Sequence, residues 1–161
     1  MGMVESLKHI VHELAKWGND RIDMFQENEF WLERELVQLY KLYFDISEKG
    51  FSGERVENLP QVHYGNLRIN LAYNFPSFGF YPVANLHSTA LGQPEWDTVD
   101  ALDQLADVLA ELKIVDSLYR QGREEDALHY FTFAFQNRIR TRLLSLLHYL
   151  KTQAPVMAAA V

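Results

Sequence analysis

The chain contains no cysteine among its 161 residues. Disulfide frameworks, thiolate metal sites and cysteine nucleophiles are therefore excluded. It has no Gly-rich phosphate loop and no G-x-S-x-G elbow, and no serine sits beside a histidine in a recognisable catalytic setting. Positive charge is in the minority: Lys and Arg total 15 against 22 Asp and Glu, a formal net charge of -7. Such a chain repels phosphate backbones, which argues against nucleic acid as a partner. Long apolar runs are also missing. No window approaches the roughly 20 apolar residues that span a bilayer. The N-terminal stretch is interrupted by Glu5, His12 and Glu13, unlike a signal peptide. The expectation is a soluble, cytoplasmic protein with no membrane partner.

What the chain does have is core material. Hydrophobic residues make up 48% and aromatics 13%, enough apolar area to offset the entropy of ordering. The length suits one domain with one core. A single helical domain over 1–153 is expected, with a frayed tail over 154–161.

Four segments carry helical periodicity. The first covers about 3–17, with Val4, Leu7, Val11 and Leu14 on one face and Gly18-Asn19 as the stop. The second covers about 27–49. There Leu32, Leu36, Leu39, Tyr40 and Tyr43 form a stripe that Val37 and Phe44 widen, so more than one neighbour is expected. The third covers about 98–121, with Asp97 read as the N-cap and Gly122 as the stop. The fourth covers about 124–151 and opens on Glu124, Glu125 and Asp126, where the helix dipole favours acids. The short link between the last two forces an antiparallel hairpin. Between Phe51 and Trp96 the pattern breaks. Pro60, Pro76, Pro82 and Pro94 fall here. Residues 61–73 suit a short helix, and NFPSFGFYPVANL (74–86) suits an ordered extended segment. The expected fold class is all-α: a four-helix up-and-down-type bundle, an extra short middle helix and a long Pro/aromatic covering segment.

The motif DALDQLADVLAELK (100–113), the following DSLYRQGREEDAL and the upstream NFPSFGFYPV resemble the bacterial proteins grouped as domain of unknown function family 5063. The resemblance runs through nearly the whole chain in order and implies a small all-α fold. It implies no activity. The family pattern places a Trp-Gly pair and a following basic residue or His in the last helix, where this chain has Ile139, Arg140, Thr141 and Arg142. Nothing that rests on that Trp or His carries over.

Four constellations could carry chemistry. Asp100, Asp103, Asp107 and Glu111, spaced by three and four, line one helix face and repel one another. With Glu33 or Glu35 from the second helix they could hold Mg²⁺ or Mn²⁺, as in all-α nucleotide pyrophosphatases, and activate water. The paired Glu-x-x-Glu of those enzymes is missing. The plainer reading is a solvated face, or one paired with Arg138, Arg140 and Arg142. That basic cluster is the second constellation. Arg142 and His148 also fit a loose Arg-x-His ribonuclease spacing, but a six-residue step leaves them about 120° apart. Third is the run of His9, His12 and Glu13, part of a metal site only if His63 or His87 completes it. Fourth is the aromatic segment, where Phe75, Phe78, Phe80 and Tyr81 are either core packing or a partner anchor.

With no complete catalytic set, the leading expectation is a non-enzymatic protein-interaction or self-associating module without a cofactor. The alternative is a metal-dependent phosphohydrolase using the carboxylate row.

Overall fold

The computed structural model describes residues 2–22, 25–85, 92 and 95–153. The expected frayed tail (154–161) and His87 lie outside the described residues. Helix α1 is Met3–Asn19, α2 is Phe25–Ser47 and α3 is Tyr64–Asn74. Strands β1 (Phe80–Asn85) and β2 (Glu95–Asp100) follow, then α4 (Ala101–Arg120), α5 (Glu124–Ala134) and α6 (Arg140–Gln153). A π-helical turn, Phe135–Ile139, joins α5 to α6 in one long rod. The chain is mostly helical, with a small two-stranded sheet among the described residues.

Helix α4 is the centre. It packs on α1, α3, α5 and α6, and its Leu105, Leu109, Leu112 and Val115 have no solvent exposure. A helix with that many neighbours needs apolar residues on most of its circumference. Leu7, Val11 and Leu14 of α1 meet it, as do Phe131, Phe135, Ile139 and Leu143 of the rod. Helix α2 lies on α1, α5 and α6. Its Leu32, Leu36, Leu39 and Tyr43 are buried as expected, whereas Val37 and Phe44 face solvent.

The turn between α4 and α5 shows why Gly122 stops the helix. Its φ of +73° suits a residue without Cβ, and the amides of Gly122 and Arg123 close onto the carbonyls of Tyr119 and Leu118. The π-helical turn leaves carbonyls short of amides. Asn137 Nδ2 donates to the Phe133 carbonyl at 2.8 Å and Arg142 Nη1 to the Arg138 carbonyl at 2.6 Å.

Two expectations need correction. Residues 98–100 belong to β2, so α4 begins at Ala101 and its cap is Asp100, whose carboxylate accepts from the Leu102 amide at 2.9 Å. Asp97 instead sits in the hairpin opposite Val83. The segment 74–85 is extended only from Phe80, where it forms a strand that the all-α expectation did not contain.

The links are held by buried amides. Asn74 Oδ1 accepts from the Ile22 amide at 2.7 Å, and its Nδ2 donates to the Trp17 and Asp20 carbonyls at 2.8 and 2.7 Å. Asn28 Nδ2 donates to the carbonyls of Ile22 and Asn74. One side-chain pair thus bonds the backbone at the end of α1, in the link that follows it and at the end of α3, with Asn28 tying α2 to the same junction.

Candidate functional site

The acidic row is closed by partners from four neighbouring stretches of chain. Arg68 of α3 reaches Asp103 through Nε at 2.7 Å and Asp100 through Nη2 at 3.3 Å. Asp107 accepts from the Tyr64 hydroxyl at 3.1 Å and pairs with Arg142 Nε at 3.3 Å. Glu111 accepts from the Tyr130 hydroxyl and pairs with Arg138 Nη1 at 3.0 Å. Each carboxylate therefore meets a cation, which removes the repulsion that its spacing creates along α4. The phenols register the same environment: burial and then Asp107 push Tyr64 up to about 12, and burial and then the Glu111 hydrogen bond push Tyr130 up. Glu33 lies on α2, and the row's polar partners come from α3, α5, the π-helical turn and α6 instead. Among the described residues no group of three or more His, Asp and Glu is placed to hold a metal ion.

The basic cluster splits up. Arg138 and Arg142 join the acidic row, whereas Arg140 turns to α2. Its Nε donates to the Tyr40 hydroxyl at 2.8 Å, and its guanidinium lies 5.6 to 6.0 Å from the rings of Tyr40, Tyr43 and Phe44. Consecutive even positions on a helix point in different directions, so the three arginines never formed one patch. Arg142 is occupied by Asp107, and His148 is exposed further along α6.

The aromatic quartet is mostly core. Phe75 is 1% exposed and stacks near Trp17 and Phe78, with ring centres at 5.1 and 5.0 Å. Tyr81 is buried, and its hydroxyl meets Gln104 and Ser145. Phe78 is half-buried against Tyr149. These rings plug one end of the bundle, because the extended segment crosses it. Phe80 alone of the four is open, at 76% exposure. It shares the outer hairpin face with Trp96 by register, since Phe80 opposes Asp100 and Ala84 opposes Trp96.

His9, His12 and Glu13 also separate. Glu13 pairs with Lys16 at 2.7 Å, and His9 is exposed. His12 Nδ1 lies 3.3 Å from Asp116 Oδ1, a contact that the tautomer with the proton on Nδ1 makes as a hydrogen bond, since a carboxylate only accepts. Arg120 holds the other oxygen of Asp116 at 2.9 Å. Asp116, Tyr119 and Arg120 were not singled out by sequence reasoning, since a lone Asp in an apolar helix row gives no periodic signal. With Lys8 and both histidines they line a cleft of about 710 Å³ between α1 and α4. Burial pushes the Tyr119 phenol up. The pairing makes His12 and Asp116 a clamp between the two helices.

The wide α2 stripe, read from the sequence as a sign of more than one neighbour, leaves an open face whose extent was not foreseen. Phe30, Val37 and Phe44 are 54%, 52% and 47% exposed, and Trp31 stands beside them at 42%. The signal was there in Val37 and Phe44, which the wide stripe included. No family model matches this chain, and neither does any curated protein or solved structure. The site must speak for itself.

Proposed function

We propose that the protein is a non-enzymatic helical docking module of the cytoplasm, with the outer face of α2 as its working surface. The observation that carries this is the exposed row Phe30, Val37 and Phe44. Its members are seven residues apart and span about 21 Å of helix. A heptad row drifts by about 20° per repeat, which a partner helix follows at a crossing angle near 20°. The occupant is an amphipathic helix, from a second copy of this chain or from another protein. Arg34, 5.4 Å from the Trp31 ring, stiffens one rim of the row. The outer face of the hairpin, with Phe80 and Trp96, is a second apolar surface of the same kind.

Light scattering over a wide concentration range tests the self-associating form. A mass moving toward twice 18.8 kDa, restored to the monomer by Val37→Glu, supports it. A strict monomer whose α2 face binds no apolar dye contradicts the docking reading as a whole.

The frame is an up-and-down bundle of α1, α2, α4 and the α5–α6 rod, and the kinship with family 5063 rests on the motifs quoted above. The competing reading is a Mg²⁺- or Mn²⁺-dependent phosphohydrolase. It would have to strip Arg68, Arg138 and Arg142 from the carboxylates it uses. Calorimetric titration with Mg²⁺, Mn²⁺ and Zn²⁺ decides between the two. The docking reading expects no saturable heat, and heat lost in Asp107→Asn would favour the enzyme.

A further inference from the structure

A second feature is independent of the α2 face. Arg68, Arg120, Arg123, Arg138 and Arg142 each hold a carboxylate. Of the cations that no ion pair among the described residues engages, Lys8, Arg34, Arg55 and Arg140 included, Arg21 and Lys113 are the two that come together. Both line one cleft of about 470 Å³ between the last turn of α1 and the start of α3. His63, Asn66 and Asn70 complete its polar wall, and no Asp or Glu lines it.

The cleft is partly built in advance. Arg21 lies with its guanidinium 4.8 Å from the Tyr73 ring, which restricts a long, mobile side chain. Asn70 Nδ2 donates to the Gly18 carbonyl at 2.9 Å and the Asn19 carbonyl at 3.3 Å. It thereby engages the carbonyls through which the negative end of α1 would otherwise oppose an anion. Lys113 is half-buried, and burial, followed by Arg120, draws its pKa down. Asp116 offsets part of that fall from its own side of α4, and an anion in the cleft would offset more of it.

We infer that this cleft binds the phosphate group of a small metabolite, with Lys113, Arg21 and His63 on the phosphate oxygens and Asn66 on the remainder of the molecule. A phosphate monoester brings close to two negative charges and three acceptor oxygens, which suits two cations and an imidazole better than a single carboxylate does. The volume lies within the range of small-molecule sites. A nucleic acid is disfavoured, since a polyanion must also approach the rest of a chain of net charge -7.

The test is a ¹H–¹⁵N spectrum of the full chain titrated with inorganic phosphate and, in parallel, with adenosine monophosphate. Saturable shifts are expected at the amides of Gly18, Asn66 and Asn70. Lys113→Met keeps the apolar stem and should weaken binding about tenfold, the worth of one charge-assisted hydrogen bond. Lys113→Arg should retain binding, which guards against a variant that fails for reasons of folding. Tighter binding of the nucleotide than of phosphate would support the contact at Asn66. Shifts reproduced by sodium chloride at equal ionic strength would overturn the site. So would unchanged affinity in a folded Lys113→Met protein.

Discussion

Glu35 provides the sharpest test of how this bundle handles charge. Its carboxylate is partly buried on the inner side of α2 and accepts a hydrogen bond from Trp17 Nε1 at 2.8 Å. Burial raises its pKa from the ordinary 4.5 to about 7, and the indole hydrogen bond offsets only part of that rise. A group whose folded pKa is raised binds more protons folded than unfolded. Its contribution to stability is whole below about pH 4.5 and is lost as the pH climbs through 7. A displacement of this size corresponds to about 3 kcal/mol, and the carboxyl's remaining exposure reduces it to about 1–2 kcal/mol. Glu35→Gln keeps an acceptor for Trp17 and removes the charge. Its advantage over the native chain should therefore be near zero at pH 4.5 and reach about 1–2 kcal/mol above pH 7.5, or roughly 2–8 °C in Tm. Urea denaturation followed by circular dichroism at several pH values reads this directly. A stability difference that stays constant from pH 5 to pH 8, or a native chain more stable than the variant at pH 8, would refute the reasoning.

Four further outcomes follow from packing and ion pairing. Asn74→Ala removes the partners of one amide and two carbonyls at the junction of α1, α2 and α3, and should cost about 3 kcal/mol in denaturant melts. Gly53→Ala combines a φ of +74° with a new Cβ 3.2 Å from the Phe133 amide nitrogen, whereas Gly50→Ala at φ +87° meets open space. The first should cost about 2 kcal/mol and the second about 1 kcal/mol, since only the conformational part is common to both. Glu111→Ala strands Tyr130 and Arg138 beside a little-exposed carboxylate position and should cost about 1–2 kcal/mol. Asp103→Ala breaks an exposed pair with Arg68 and should cost less than about 1 kcal/mol by the same melts.

The helical frame was legible because four segments repeat their apolar residues at the helical period, and that period is a direct consequence of burying one face. Helix α4 began three residues later than expected because Asp97 and Asp100 are equally good caps, and only the hairpin register decides between them. The hairpin itself was hidden: Pro82 sits in β1, and the pattern Trp96-Asp97-Thr98-Val99 is too short for its alternation to stand out. The π-helical turn is invisible to a regular period by definition. The pairing of the acidic row with Arg138 and Arg142 was foreseeable as a charge balance, but Arg68 and Tyr64 come from a segment whose placement no local pattern encodes. The aromatic quartet had the composition of a partner anchor, yet three of its four rings turn inward. Composition cannot state direction. The same limit concealed the open face of α2, where a stripe too wide for one neighbour has part of its width left in solvent.

Oxidative footprinting of Phe30, Trp31 and Phe44, compared between dilute purified protein and a crude extract of the cells that express it, tests the docking face most directly. Leu144, which stands exposed on α6, serves as the internal reference. The account predicts strong labelling of the α2 aromatics when dilute and their selective protection in the extract, with Leu144 labelled equally in both. Equal labelling of all four residues in both samples would contradict it.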